Sequence, residues 1–454
     1  MNIHPGHFVA IFGGAVAGSE AAENLAKRGI YSAVFEQNTL PYGKIEDGLP
    51  KWHIKLRDKE EQKINEKLSD QYVYYVPNIK LDRDVKLNDI INTWDFDAIL
   101  LATGAWRDRS LPVPGIDDFV GKGFYYQNAY VHWFNHKHEP GYRNEQIEAL
   151  DNAIIVGGGL ASLDMAKIVM METVLKALKN HGIQIDLFTL EKRGIAETLN
   201  DLNLTMQQLN LQGCTLFYRR RTIDMPLSVI PPDADSERIN KAYESRKKIL
   251  ENFQNKYLFR FEELSFPVDK IVDNGNIAGL IFQKTKIQEG QIVPISGSEF
   301  EVRGSQVISS IGSIPEKIEG MPMRNNLFEV QNEETGQISG YENLYALGNA
   351  VTGRGNIRAS SVHGKLVTEQ LLKKQFAWRE EDYELLLKEG AREAKQKSEQ
   401  LAEQIQNKKL KSSEEILKIV KMITRLQKQK GYNGKFNDWV KKHLPVRLEQ
   451  LGHN

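Results

Sequence analysis

The stretch FVAIFGGAVAGSEAAENLAKRGIYSAVFEQN constrains the fold more than any other part of the chain. An apolar run from Phe8 to Phe12 leads into a turn, Gly13 to Gly18. A helical pattern continues through Lys27, and a second apolar run ends at Glu36. Strand, turn, helix and strand within about 30 residues make a parallel βαβ unit. In such a unit the amides of the turn and the helix N-terminus receive a pyrophosphate, and an acid at the tip of the second strand accepts ribose hydroxyls. Glu36 stands at that tip. Gly13, Ala15 and Gly18 occupy the three glycine positions, so a methyl group sits at the middle one, where backbone and phosphate come closest. A bare glycine pattern is a weak signal, and its alternative is an ordinary tight turn. The complete unit around this one makes dinucleotide binding the reading.

A second turn occurs in NAIIVGGGLASLDMAKIVMM, with an apolar Ala153 to Val156, then Gly157, Gly159 and Ser162, and a helix containing Asp164. Its second strand, in CTLFYRRRTIDMP, has no acid at the tip but three arginines, Arg219 to Arg221. A planar guanidinium there pairs with a 2′-phosphate in a bidentate way, whereas three arginines alone read as a solvated strand end. The connection is longer than a minimal unit, and Gln184 to Ile195 is expected as an intervening strand. Two sites with different ends imply two dinucleotides, FAD held at Glu36 and NADP(H) held at the arginines. The implied reaction is hydride transfer between nicotinamide and flavin.

Length and charge fit this reading. At 454 residues the chain is expected to form two domains with an appendage. Lys+Arg and Asp+Glu are equal at 60 each, so no bulk attraction to nucleic acid or an anionic membrane is implied. The N-terminal residues lack the pattern of a signal peptide and no run of about 18 apolar residues occurs, so a soluble, cytoplasmic protein without membrane insertion is expected. The single cysteine, Cys214, excludes an internal disulfide, a CxxC redox pair and a Cys-ligated cluster; it is expected to be a buried small hydrophobe. Any electrons must therefore reside on a bound group. The histidines between His132 and Gly141 have a spacing that could suggest a metal site, but no carboxylate or cysteine set goes with them, and no metal site is expected.

Over residues 1 to about 375 the chain resembles the FAD- and NADP-dependent flavoprotein reductases of the adrenodoxin reductase (ferredoxin–NADP reductase) and glutamate synthase small-subunit type. PYGKIEDGLPKWHIK is similar to that family's segment beside the flavin, with Gly43, Gly48 and His53 at matching spacing. DAILLATGAWRDRSLPVPG, with Thr103 and Gly104, resembles the segment at the crossing between domains. YRRRTIDMP resembles the glutamate synthase form of the NADP strand, which implies Arg219 and Arg220 on the 2′-phosphate. YALGNAVTGRGNIRAS resembles the second flavin segment, which implies Gly348 and Asn349 on the ribityl side and Gly355, Asn356 and Ile357 near the isoalloxazine. The resemblance gives His53 a modest tuning role rather than that of a general base.

The implied architecture is α/β: two Rossmann-like three-layer dinucleotide-binding domains, with an NADP domain (116–319) inserted into an FAD domain (1–115 and 320–375). From 376 to 454 a helical C-terminal extension is expected. Ala391, Ala394, Ser398, Leu401 and Ile405 recur at helical spacing. Ser412 with Glu415 then forms a capping box opening a second helix with the stripe Ile416, Ile419, Val420, Ile423 and Leu426. This hairpin is expected to brace the body; its lysines, including Lys408, Lys409, Lys411, Lys428 and Lys430, offer the alternative of a docking face. The resemblance implies an NADPH-dependent oxidoreductase passing electrons to a ferredoxin-like or other iron–sulfur carrier. The alternatives are an electron-input subunit of a larger complex and a nucleotide-binding regulatory protein without turnover.

Overall fold

A computed structural model describes residues 3–228, 230, 234–348 and 380–451. Phe8–Phe12 is buried throughout, as an apolar run covered on both faces must be. It lies in the middle of a seven-stranded sheet and pairs in parallel with Tyr31–Phe35 on one side and Ala98–Leu101 on the other. Val73–Val76 extends the first side in parallel. Leu344–Ala346 extends the second in parallel, and Gln337–Ile338 and Val330–Asn332 complete it antiparallel.

The second glycine turn starts a separate sheet of five parallel strands, in the order Phe124–Tyr126, Val307–Ser310, Ile154–Gly157, Thr215–Phe217, Arg260–Glu262. Ile154 lies opposite Thr215, so the strand that ends in the arginines is the direct neighbour of the strand that enters the turn. The expected strand between them is corrected: Leu187–Arg193 is a helix, because the Asp186 carboxylate accepts the N–H of Thr189 at 2.9 Å and caps it. All five strands fall, in sequence, between strands of the seven-stranded sheet. A short ribbon joins the two bodies, Arg107–Asp108 antiparallel to Ser313–Ile314. Beside the second sheet stands an antiparallel meander of Ser265–Asp273, Asn276–Gln288 and Gln291–Arg303.

The tail is two long helices, Glu380–Gln406 and Ser413–Gln429, followed by Phe436–His443 and Leu448–Leu451. The Ser412 and Glu415 capping box is present. Leu401 and Ile405 pack into the apolar cluster of Val9, Ile11 and Leu25; Ile416, Ile419 and Ile423 pack into that of Phe8, Tyr74 and Val76. Polar bonds hold the same surface: Asn24 Nδ2 donates to Ser398 Oγ at 3.0 Å, and Trp439 Nε1 to the Thr39 carbonyl at 2.9 Å. Several tail lysines serve this packing. Lys408 donates to the Asp97 carbonyl at 2.8 Å, Lys411 pairs with Asp95 at 3.1 Å and Lys430 with Asp84 at 2.8 Å. Among the described residues no helix is long and apolar enough to cross a membrane.

Candidate functional site

The first turn is shaped by space. A Cβ on Gly13, whose φ is +101°, would lie 2.4 Å from the Ala102 carbonyl oxygen, and one on Gly18 would lie 1.8 Å from that of Gly13. Gly18 thus lets helix Val16–Ala26 close onto the strand. Ala15, by contrast, has φ −71°, which any L-residue adopts. Its methyl occupies the space a Cβ on Gly43 would need, at 3.0 Å, so the alanine in the turn is matched by a glycine facing it. The helix that starts at Val16 has no side-chain cap, and its first N–H groups open toward a cavity of about 980 Å³. Gly13, Ala15, Glu36, Gly43, Gly48, Thr103, Gly104 and Gly348 all line that cavity. Gly18 acts behind the wall. Asn349, Gly355, Asn356 and Ile357 lie outside the described residues.

Glu36 is buried on the cavity wall and accepts the N–H of Gly14 at 2.8 Å and of Asn38 at 2.9 Å. Burial pushes its carboxyl up to about 7 despite those two amides.

The second cavity, about 1280 Å³, opens at the turn Gly157–Gly159 and the uncapped N-terminus of helix Leu160–Asn180. A Cβ on Gly157 would sit 2.5 Å from the Ser310 carbonyl, and one on Gly158 would sit 2.1 Å from the ring of Tyr218. The tyrosine ring therefore covers the turn. Arg219 and Arg109 both line this cavity; burial and the nearby charges of Arg220 and Arg109 draw the Arg219 guanidinium below its ordinary range. Arg220 points away and donates to the Gly290 carbonyl at 3.1 Å, and Arg221 pairs with Asp224 at 2.9 Å. Burial pushes the Cys214 thiol up to about 12, as for an inert buried hydrophobe.

The two cavities share Lys44, Ala105, Trp106 and Arg107. Lys44 Nζ donates to Asn128 Oδ1 and to Ser313 Oγ, both at 3.0 Å. Burial draws its pKa down to about 8, partly opposed by Asp108, whose own carboxyl burial pushes up to about 6. The tail adds a wall to the first cavity through Tyr383, Leu386, Leu387 and Gly390. His53 is buried behind that wall rather than on it, with its ring centroid 4.9 Å from that of Tyr383 in a T-shaped arrangement and its Nε2 without a hydrogen-bond partner. Burial draws the imidazole down to about 3, so it is neutral.

Residues 7–187 match the family described as pyridine nucleotide-disulphide oxidoreductase. The chain is 23% identical over 361 residues to the mitochondrial NADPH:adrenodoxin oxidoreductase of Arabidopsis thaliana, covering 71% of each. Over these residues the chain is similar to that family. It is also 21% identical over 386 residues to the NADPH-ferredoxin reductase FprA of Mycobacterium leprae, covering 77% of this chain and 79% of that one. The solved structure of Mycobacterium tuberculosis FprA in complex with NADPH superposes with a TM-score of 0.59 at 17% identity, covering 85% of this chain and 90% of that one, a likeness of fold. With a single, buried cysteine the chain has no dithiol of the kind the family's description names.

Several cavity residues escaped the sequence reading. Lys44 lies inside the quoted PYGKIEDG segment and Arg109 inside the quoted crossing segment, but neither carries a motif position. Tyr383, Leu386 and Leu387 sit on a helix whose pattern signals only packing.

Proposed function

We propose that the chain is an NADPH-dependent FAD oxidoreductase, with FAD in the cavity at Glu36 and NADP(H) in the cavity at Arg219. The observation that carries this is the meeting of the two cavities across Lys44, Ala105, Trp106 and Arg107. Two dinucleotide turns alone allow two independent sites; a shared wall brings their far ends together. The cradles fit the groups, since both helix N-termini lack side-chain caps and each turn is held open by glycines that tolerate no Cβ. Once bound, NADPH supplies a hydride and FAD accepts it and releases electrons singly or in pairs.

The chain's own residues bind and orient. Glu36 offers its carboxylate to ribose hydroxyls, and the uncapped amides at Ala15 to Ala17 face a pyrophosphate. Arg219, helped by Arg109, meets the 2′-phosphate. Lys44, positioned by Asn128 and Ser313, places a positive charge at the crossing. Tyr383 and Leu387 close the cavity against water, and His53 steadies Tyr383 from behind. The domain limits at about 116 and 319 belong to the same proposal. The onward acceptor is a ferredoxin-like or other iron–sulfur protein, since a single cysteine leaves the chain without a Cys-ligated cluster of its own.

Purified protein should be yellow, release FAD on denaturation and lose its flavin absorbance on anaerobic addition of NADPH. A colourless protein that takes up no FAD under native conditions overturns the reading.

A further inference from the structure

The fold assembles a set of side chains that neither cavity uses. His132 and His136 lie one turn apart on helix Gln127–His136, with ring centroids 4.5 Å apart. Asp47, from the rim segment beside the first cavity, points at the same place: His136 Nε2 is 3.1 Å from Asp47 Oδ1. One ligand atom from each of the three residues lies within 4.8 Å of the others. The other ring nitrogen of His136, Nδ1, is 2.6 Å from Glu139 Oε1.

From this arrangement we infer that Asp47, His132 and His136 form a binding site for a divalent cation of the zinc class, which ties the first domain to the second at their crossing. Two imidazoles and one carboxylate are a borderline-soft N/O set that zinc favours, with a fourth position left for water. Glu139 takes the place of the outer carboxylate that such sites use to orient a ligating imidazole: with Nε2 on the metal, Nδ1–H donates to Glu139. The segment bearing Asp47 is held in place. Buried Asn135 donates to the carbonyls of Glu46 at 2.8 Å and Leu49 at 2.9 Å, and accepts the N–H of Lys51 at 3.0 Å. Closing the three ligands onto a metal at about 2.0–2.2 Å takes side-chain movements of roughly 1 Å.

A simple ion pair accounts for less. A charged His136 between Asp47 and Glu139 needs only those three residues, and a second imidazole stacked against an imidazolium is then poorly placed. A cation uses both rings. The sequence alone separates the histidines from their partner, since Asp47 is 89 residues from His136.

The test uses the full-length protein, dialysed against a chelator and then equilibrated with Zn²⁺ alone. We expect about one zinc per chain by metal analysis, with a higher melting temperature in the loaded protein. His132→Ala takes no part in the His136 ion pairs and should preserve the fold, yet weaken zinc binding at least tenfold. Asp47→Asn should do the same, and Glu139→Gln should weaken it about 10- to 100-fold. Failure of the wild-type protein to retain stoichiometric zinc overturns the inference, as does equal binding by wild type and His132→Ala. Neither outcome touches the proposed reductase activity, because FAD and NADPH binding are read separately.

Discussion

Glu36 folds back onto the turn that precedes it and accepts the N–H of Gly14 at 2.8 Å, so the acid proposed to face the ribose also ties the first glycine turn to the second strand. Its carboxyl titrates at about 7 because burial outweighs the two amides. The folded apoprotein therefore holds this proton more tightly than the unfolded chain, and its stability falls as pH rises from the ordinary value of 4.5 toward 7. Ribose hydroxyls favour the carboxylate, so FAD affinity should move the other way. We expect it to weaken by up to about tenfold per pH unit below 7 and to level off above. Titration calorimetry with Glu36→Gln should show lower affinity and no such slope; an unchanged slope removes Glu36 from the site.

Arg219→Ala should weaken NADPH while sparing NADH. A charge-assisted contact contributes about 1.5–3 kcal/mol, or roughly 10- to 150-fold in affinity. Arg220→Ala should have the smaller effect, because its guanidinium is occupied at the Gly290 carbonyl. Steady-state KM values for the two nucleotides check both, and an equal loss for NADPH and NADH after Arg219→Ala contradicts the assignment.

Lys44 is charged below its pKa of about 8 and neutral above it. The unfolded chain keeps that proton up to 10.5, so the burial cost borne below pH 8 is relieved as pH rises from about 8 toward 10.5. Lys44→Met is therefore expected to hold or raise the melting temperature at pH 7 while slowing flavin reduction by NADPH. Stopped-flow rates on wild type should fall above about pH 8, and the variant should lack that limb. A variant that loses stability and activity together would mark Lys44 as structural.

The tail should behave as core. Ile416 and Ile423 are fully buried against strands of the first sheet, and either residue changed to Ala should cost about 2–5 kcal/mol in urea unfolding. A chain ending at residue 379 should be insoluble or fail to hold FAD, since Leu386 and Leu387 also line the cavity. A soluble truncated chain with full flavin content would return the tail to a docking role.

Much of this protein was legible in one dimension because its strongest signals are local. A turn that admits no Cβ at Gly13 and Gly18, an apolar strand before it and an acid at Glu36 are set by steric and solvation demands acting within about 30 residues. The same holds for the turn at Gly157 and for the Ser412 cap. The tertiary structure decided what depends on distant chain segments meeting. It converted Gln184–Ile195 from an expected strand to a helix capped by Asp186, turned Arg220 away from the cavity and brought Arg109 in, and set His53 behind Tyr383. Lys44 acquired its position because Asn128 and Ser313 reach it across the domain crossing, and Asp47 meets His132 and His136 for the same reason. A contact between residues far apart in the chain leaves no periodicity in the sequence, because only the packing of whole domains determines which side chains come within reach.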